Sequence, residues 1–384
     1  MEKIFFFLYT FLVVSLHLLL SPFLLLFSFK NKYKTSLPSR FFLKNNPSLK
    51  PNGIWFHSCS FGEAKAIKPL VDILEKEELR MTSTTQTGFE AIGEYTSQSR
   101  YLPFESLLLF WIKPQKALVV MEAEFWYLLF VLAQKRGAKT ILINARMSER
   151  SFPKYQKIAW FYKNIFAHID EVYAQTILDK ERLESLGASN VVVTGNIKLS
   201  TLPKVTKNLT KPQGLIVCGA STHDKEEELI LKAFEALKQE EPNAKLILVP
   251  RHPERFSKVA KMVEKMPFSF HKYSEQEDFE SDIVVVDKLG ELVNIYAISD
   301  IVILGGAFEP IGGHNAGEPA QFGCKIISGK HYFNQIDIFN AIEGIAIVEA
   351  SNLSRRLLQY GLLKPSIIKT KSDISAIVES LESL

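Results

Sequence analysis

The sequence predicts an α/β protein of two doubly wound parallel domains that face each other across a cleft, preceded by an apolar anchor helix. Short β-branched runs alternate with helical patterns throughout the polar part of the chain, as parallel βα units do. A polar stretch from Ser200 to Gln213, with Pro203 and Pro212 and neither helical nor strand period, divides them into two series. Ahead of both, Ile4 to Phe29 contains no Asp, Glu, Lys or Arg. At 384 residues the chain exceeds one ordinary core and suits two domains of about 150 residues or more.

The first element, Ile4–Phe29, is long enough to cross a hydrocarbon core about 30 Å thick. Its apolar stretch is too long for a signal peptide and carries no small-x-small cleavage site. Behind it come Lys30, Lys32, Lys34, Arg40, Lys44 and Lys50 with no acid between them, which places the rest of the chain on the cytoplasmic side. Residues 1–30 therefore read as a membrane anchor that spans the bilayer; Pro22 and His17 are also compatible with an in-plane helix.

Strands are expected at Ile54–Cys59, Ala117–Met121, Thr140–Asn144, Asp170–Ala174 and Val191–Thr194 in an N-terminal domain of residues 31–205. A C-terminal domain of residues 206–384 supplies Gly214–Cys218, Lys245–Val249, Asp282–Val286 and Asp300–Leu304, and its last helix is free to pack back on the N-terminal domain. Ligands of open α/β sheets gather beyond the carboxyl ends of the strands. The chemically notable residues fall there: Ser60-Phe-Gly-Glu63, then Glu122 and Glu124, then Gly195-Asn-Ile-Lys198 in the first series. In the second they are Ser221-Thr-His223, Pro250-Arg251-His252, Gly290-Glu291 and a glycine-rich segment after Leu304. Carboxylates on one side and cations with anion-binding backbone on the other suit an acceptor opposite a nucleotide.

The glycine-rich segment is the sharpest of these signals. Gly305-Gly306 and Gly312-Gly313 precede a helix expected to open near Asn315 and close at Gly323, an arrangement that can cradle a phosphate. Glu318, one turn in, is placed to take ribose hydroxyls. Both Asn315 with Glu318 and Ser60 with Glu63 also have capping-box spacing, the latter for a helix over Glu63–Leu74. Cys59, Cys218 and Cys324 are too few and too scattered for a disulfide framework or a zinc site, and no cluster of metal ligands stands out, so no metal is expected. A net charge of +4 is mild and gives no reason to expect nucleic acid. No Gly-x-Gly-x-x-Gly follows the first strand, which disfavours a dinucleotide dehydrogenase.

Seven motifs in order make the chain resemble the 3-deoxy-D-manno-octulosonic acid (Kdo) transferases of lipopolysaccharide synthesis. They are His57-Ser-Cys-Ser-Phe-Gly-Glu63, Met121-Glu-Ala-Glu-Phe-Trp126, Asn144-Ala-Arg-Met-Ser-Glu-Arg-Ser151, Gly195-Asn-Ile-Lys198, Ser221-Thr-His223, Val249-Pro-Arg-His-Pro-Glu-Arg-Phe256 and Gly312-Gly-His-Asn-Ala-Gly-Glu318. The resemblance implies two Rossmann-like domains in the glycosyltransferase B architecture. It implies transfer of Kdo from CMP-Kdo to a lipid A precursor (lipid IVA), with inversion, by direct displacement, without metal or other cofactor, on the cytoplasmic face of an anionic bacterial inner membrane. It makes Glu63 the general base and Glu122 with Lys198 the pair that stabilises the transition state. CMP contacts are expected at Pro250, Arg251, Leu289, Gly290, Glu291, Asn315, Ala316, Gly317 and Glu318. Cys59 and Phe61 stand where smaller side chains are usual, and Leu199-Ser200 replaces the usual Phe-Asp. The alternatives are a two-domain transferase using another nucleotide sugar on a membrane lipid, and a catalytically dead membrane scaffold.

Overall fold

The computed structural model of the chain describes residues 2–30, 33–200, 202–369 and 372–384; Lys32 of the basic stretch lies outside them. The chain divides into two units, Met1–Ser200 with Thr370–Leu384, and Thr201–Lys369.

In the first unit the strands are β1 (Ile54–Ser58), β2 (Leu79–Ser83), β3 (Ser99–Tyr101), β4 (Ala117–Met121), β5 (Lys139–Ala145), β6 (Glu171–Ala174) and β7 (Val191–Val193). They form one parallel sheet in the order β3-β2-β1-β4-β5-β6-β7. Helices cover both faces, so β4 (Ala-Leu-Val-Val-Met) is buried at every residue and reads as an unbroken apolar run. One helix was expected over Glu63–Leu74. Two form instead, Phe61–Ala66 and Lys68–Val71, because Pro69 offers no N–H and crowds the preceding turn.

The apolar N-terminal segment forms a helix, α1 (Glu2–Phe27), which is not a free tether. Phe5 meets Tyr127 edge-on at 4.9 Å, the Tyr9 hydroxyl donates to Glu105 Oε2 at 2.6 Å, and His17 Nδ1 lies 2.6 Å from Ser106 Oγ. These positions recur every four residues and lie on one stripe of the helix. Val13, on the same stripe, is buried, while Phe7, Phe11 and Leu18 on the other side are exposed.

At the far end of the chain, helix Ser375–Glu382 also belongs to this unit. Ile377 and Leu381 enter the core beside Ile54, Phe56 and Met81. Ser380 Oγ donates to Glu171 Oε2 at 2.5 Å, and Asp373 N donates to Thr194 O at 2.8 Å.

In the second unit β8 (Ile216–Thr222), β9 (Lys245–Pro250), β10 (Phe270–Lys272), β11 (Ile283–Val285), β12 (Ile301–Leu304) and β13 (Lys325–Ser328) form a second parallel sheet with β15 (Ala346–Ile347). Its order is β10-β11-β9-β8-β12-β13-β15, and β14 (Ile342–Glu343) pairs separately with β16 (Ile367–Ile368). Helix Glu226–Glu240 buries Ile230, Ala233, Phe234 and Leu237 against the strands. Both units are thus of the doubly wound class expected. Each sheet has a switch point beside its first strand, between β1 and β4 and between β8 and β12, and such points open a crevice for ligands; in the second sheet β11 also lies between β9 and β10.

Candidate active site

The loops at the β1/β4 switch point hold the first group of expected residues. Ser60 caps helix Phe61–Ala66 by accepting from Glu63 N, and Glu63 folds back in a variant of the capping box: its Oε1 accepts from Ser60 Oγ at 2.7 Å and its Oε2 from Cys59 N, one residue before the cap, at 2.8 Å. Burial pushes the Glu63 carboxyl above the usual range, the two hydrogen bonds offset this in part, and the nearby Glu122 and Glu124 carboxylates add to it.

Glu122 follows β4 with a left-handed backbone, φ 62°, a strained geometry for a non-glycine residue. That turn aims its carboxylate at three partners. Lys198 Nζ donates to Oε1 at 3.0 Å, Asn144 Nδ2 donates to the same oxygen at 3.4 Å, and Arg146 Nε lies 3.4 Å from Oε2. Asn144 also accepts from Ile197 N at 3.0 Å, so one amide ties the end of β5 to both the carboxylate and the loop that carries Lys198. Glu122 and Lys198 are therefore joined as expected. Asn144 and Arg146 were visible in the sequence only as members of a motif.

The same edge gathers a group that the sequence did not reveal. Donor atoms of His57, Cys59 and Glu124 lie within 4.8 Å of one another, since the fold sets the loop after β4 beside the end of β1. Burial lowers the His57 imidazole to about 4 and pushes the Cys59 thiol up.

In the second unit the glycine segment follows β12, but its glycines serve the protein's own packing. A Cβ on Gly312 would lie 2.0 Å from Asn334 Nδ2, and one on Gly306 would strike the His314 ring at 2.8 Å; both have positive φ. The loop is pinned by buried Glu226, which accepts from His223 N at 3.0 Å, Gly306 N at 2.8 Å and Phe308 N at 3.1 Å. The helix expected from Asn315 to Gly323 is a single turn, Gly317–Ala320, and Asn315 Oδ1 accepts from Gly317 N at 2.9 Å. So short a helix attracts an anion through its free N–H groups rather than through a summed dipole.

Glu318 is raised by burial, and Arg251 and Asn315 act against that rise. Arg251 follows Pro250, the last residue of β9, and is exposed. Leu289 and Gly290 are exposed, and Glu291 accepts from Asn294 Nδ2 at 3.1 Å. Helix Leu292–Tyr296, which Glu291 opens, neighbours Gly317–Ala320, whose N-cap is Ala316. His223, His252 and His314, separate in the sequence, form a trio. The His223 and His314 rings stack at 5.2 Å with Nε2 atoms 2.9 Å apart, and burial lowers His314 to about 4.

Comparison with known proteins gives a consistent picture. The family model described as 3-deoxy-D-manno-octulosonic-acid transferase (kdotransferase) matches residues 35–201. The 3-deoxy-D-manno-octulosonic acid transferase of Haemophilus influenzae is 36% identical over 88% of this chain and 84% of its own length. That of Aquifex aeolicus is 32% identical over 79% and 84%. Among solved structures, the C-terminal CMP-Kdo binding domain of WaaA from Acinetobacter baumannii is 29% identical, covering 39% of this chain and 82% of that one with a TM-score of 0.35.

Proposed function

The chain belongs to the 3-deoxy-D-manno-octulosonic acid (Kdo) transferase family, and we propose that it moves Kdo from CMP-Kdo to a lipid A precursor with inversion at the anomeric carbon. The observation that carries the mechanism is the pairing of Glu122 with Lys198 at 3.0 Å, at the same switch point as Glu63. In this reading Glu63 takes the proton of the acceptor hydroxyl as its oxygen attacks the anomeric carbon. The bond from that carbon to the CMP phosphate oxygen breaks, and its electron pair leaves with CMP. A carboxyl raised by burial suits a base that must hold a proton in passing.

Positive charge building on the sugar is met by Glu122, held in place by Lys198, Arg146 and Asn144. The second unit holds the nucleotide: Arg251 and the N–H groups around Asn315–Gly317 take the phosphate charge, a task these groups can perform without a metal ion. Pro250 and the Leu289–Glu291 turn flank them, and Glu318 takes the ribose.

The lipid acceptor gives α1 its purpose, and its docking favours an in-plane placement over a span. Named contacts hold it from Phe5 to His17, and the ten residues from Leu18 to Phe27 reach only about 15 Å as a helix, half of a hydrocarbon core. The exposed apolar side then faces lipid, with Lys30, Lys34 and Lys44 toward anionic headgroups on the cytoplasmic leaflet of the bacterial inner membrane. Incubating the full chain with CMP-Kdo, a lipid A precursor and excess chelator should add the mass of Kdo to the lipid. Absence of that product, or its appearance only with added magnesium or manganese, would refute the proposal in whole or in its metal-free form.

A further inference from the structure

We propose that His57, Cys59 and Glu124 form a binding site for a soft divalent cation of the zinc type. Imidazole, thiolate and carboxylate are the ligands zinc takes, and three protein ligands leave a fourth position open. The three donor atoms lie within 4.8 Å of one another. Ligands of tetrahedral zinc stand roughly 3.3–3.8 Å apart, so shifts on the order of one ångström bring these onto one ion.

An independent observation points the same way. The His57 ring is 1% exposed, and its Nε2 is buried with no hydrogen-bond partner. Its Nδ1 faces the Thr82 carbonyl at 3.2 Å and Thr82 Oγ1 at 2.9 Å. With its proton on Nδ1, toward the Thr82 carbonyl, the ring presents a bare lone pair at Nε2. A cation supplies the partner that this lone pair lacks.

Each donor is also held from behind, as metal ligands are. His57 donates to the Thr82 carbonyl, Trp126 Nε1 donates to Glu124 Oε2 at 2.6 Å, and Thr84 Oγ1 donates to Cys59 Sγ at 3.0 Å. The cation nearest in electrostatic terms is Arg40, whose Nε donates to Leu102 O at 3.1 Å. When the ion binds, Cys59 releases its thiol proton to solvent. Thiolate, Glu124 and Glu63 then balance the dication and Arg40.

The ion would sit beside the proposed base, because Cys59 N donates to Glu63 Oε2 at 2.8 Å. Bound there, it draws the Glu63 charge toward itself and obstructs the acceptor hydroxyl, so it inhibits transfer. That consequence rests on the function proposed above; the binding itself does not.

Cobalt(II), titrated into the purified full chain in detergent, should bind once per chain with a thiolate-to-cobalt charge-transfer band that zinc removes. Cys59→Ser and His57→Gln should lose the band while keeping the wild-type melting temperature. Persistence of the band in Cys59→Ser, where Cys218 and Cys324 remain, or its absence from the wild type, overturns the site. Zinc at ten times its Kd fills about nine-tenths of sites and should cut wild-type transfer about tenfold. Cys59→Ser should transfer at the wild-type rate and be insensitive to zinc. Binding with undiminished transfer would overturn the inhibitory role while leaving the cation site standing.

Discussion

Glu63 closes a capping box and is also the proposed base, and the two roles differ in what its loss should cost. Losing a cap costs about 1 kcal/mol of stability, whereas losing a general base costs roughly 100-fold or more in rate. Glu63→Gln can turn its amide oxygen to the Cys59 N–H and donate its NH2 to the Ser60 oxygen, so it separates the two. Its melting temperature and CMP affinity should stay close to wild type while transfer falls at least ~100-fold; a fall of only a few-fold would leave the residue its cap alone. Glu63, Glu122 and Lys198 were legible in the sequence because each stands just past a strand, where a parallel sheet presents its ligands. Asn144, Arg146 and the His57–Cys59–Glu124 group were not, because their meaning lies in contacts across β1, β4 and β5 that no spacing in one segment encodes.

The docking of α1 buries a carboxyl beneath it. Unfolded, Glu105 titrates near 4.5; folded, burial pushes it up to about 7, against the pull of the Tyr9 hydroxyl and the Leu128 N–H. Between those values the folded protein keeps a proton that the unfolded chain has lost. Stability therefore falls as pH rises through this window, by on the order of 3 kcal/mol; the loss is absent below about 4.5 and complete above about 7. Glu105→Gln is neutral in both states and should remove that part of the slope, as thermal unfolding of both proteins in detergent across the window will show.

The in-plane reading of α1 makes a separate prediction. Nitroxide-labelled lipid should quench probes at Phe7, Phe11 and Leu18 but not at Phe5, Tyr9 or Val13, and a cysteine at Lys3 should react with impermeant reagent from the cytoplasmic side. Reaction only from the opposite side would restore the spanning anchor. Strands were legible where burial on both faces wrote an apolar run, as in β4 and β12. β2, Leu-Arg-Met-Thr-Ser, escaped notice because a buried arginine breaks its run: Arg80 is 6% exposed, and its Nε donates to Lys50 O at 2.9 Å.

At the scale of the molecule, base and nucleotide are assigned to different units, and binding measurements can test that division. Arg251→Ala and Glu318→Ala should each weaken CMP binding to the full chain by roughly 10-fold or more, the worth of a hydrogen bond to a charged group. Glu63→Gln should not, and the reverse pattern would exchange the roles of the units.

The first unit has one further property. Its sheet is covered on one face by a cluster that α1 joins through Phe5 and Tyr9, and on the other by a cluster that the last helix completes through Ile377 and Leu381. Removing residues 373–384 should strip the second cluster of side chains that contribute about 2–5 kcal/mol each, lowering the melting transition of the first unit but not that of the second. During synthesis the same dependence becomes a matter of timing. The ribosome makes α1 well before helix Ser375–Glu382, with all of the second unit between. The first unit must therefore wait, its core open on one side, until residues 373–384 emerge.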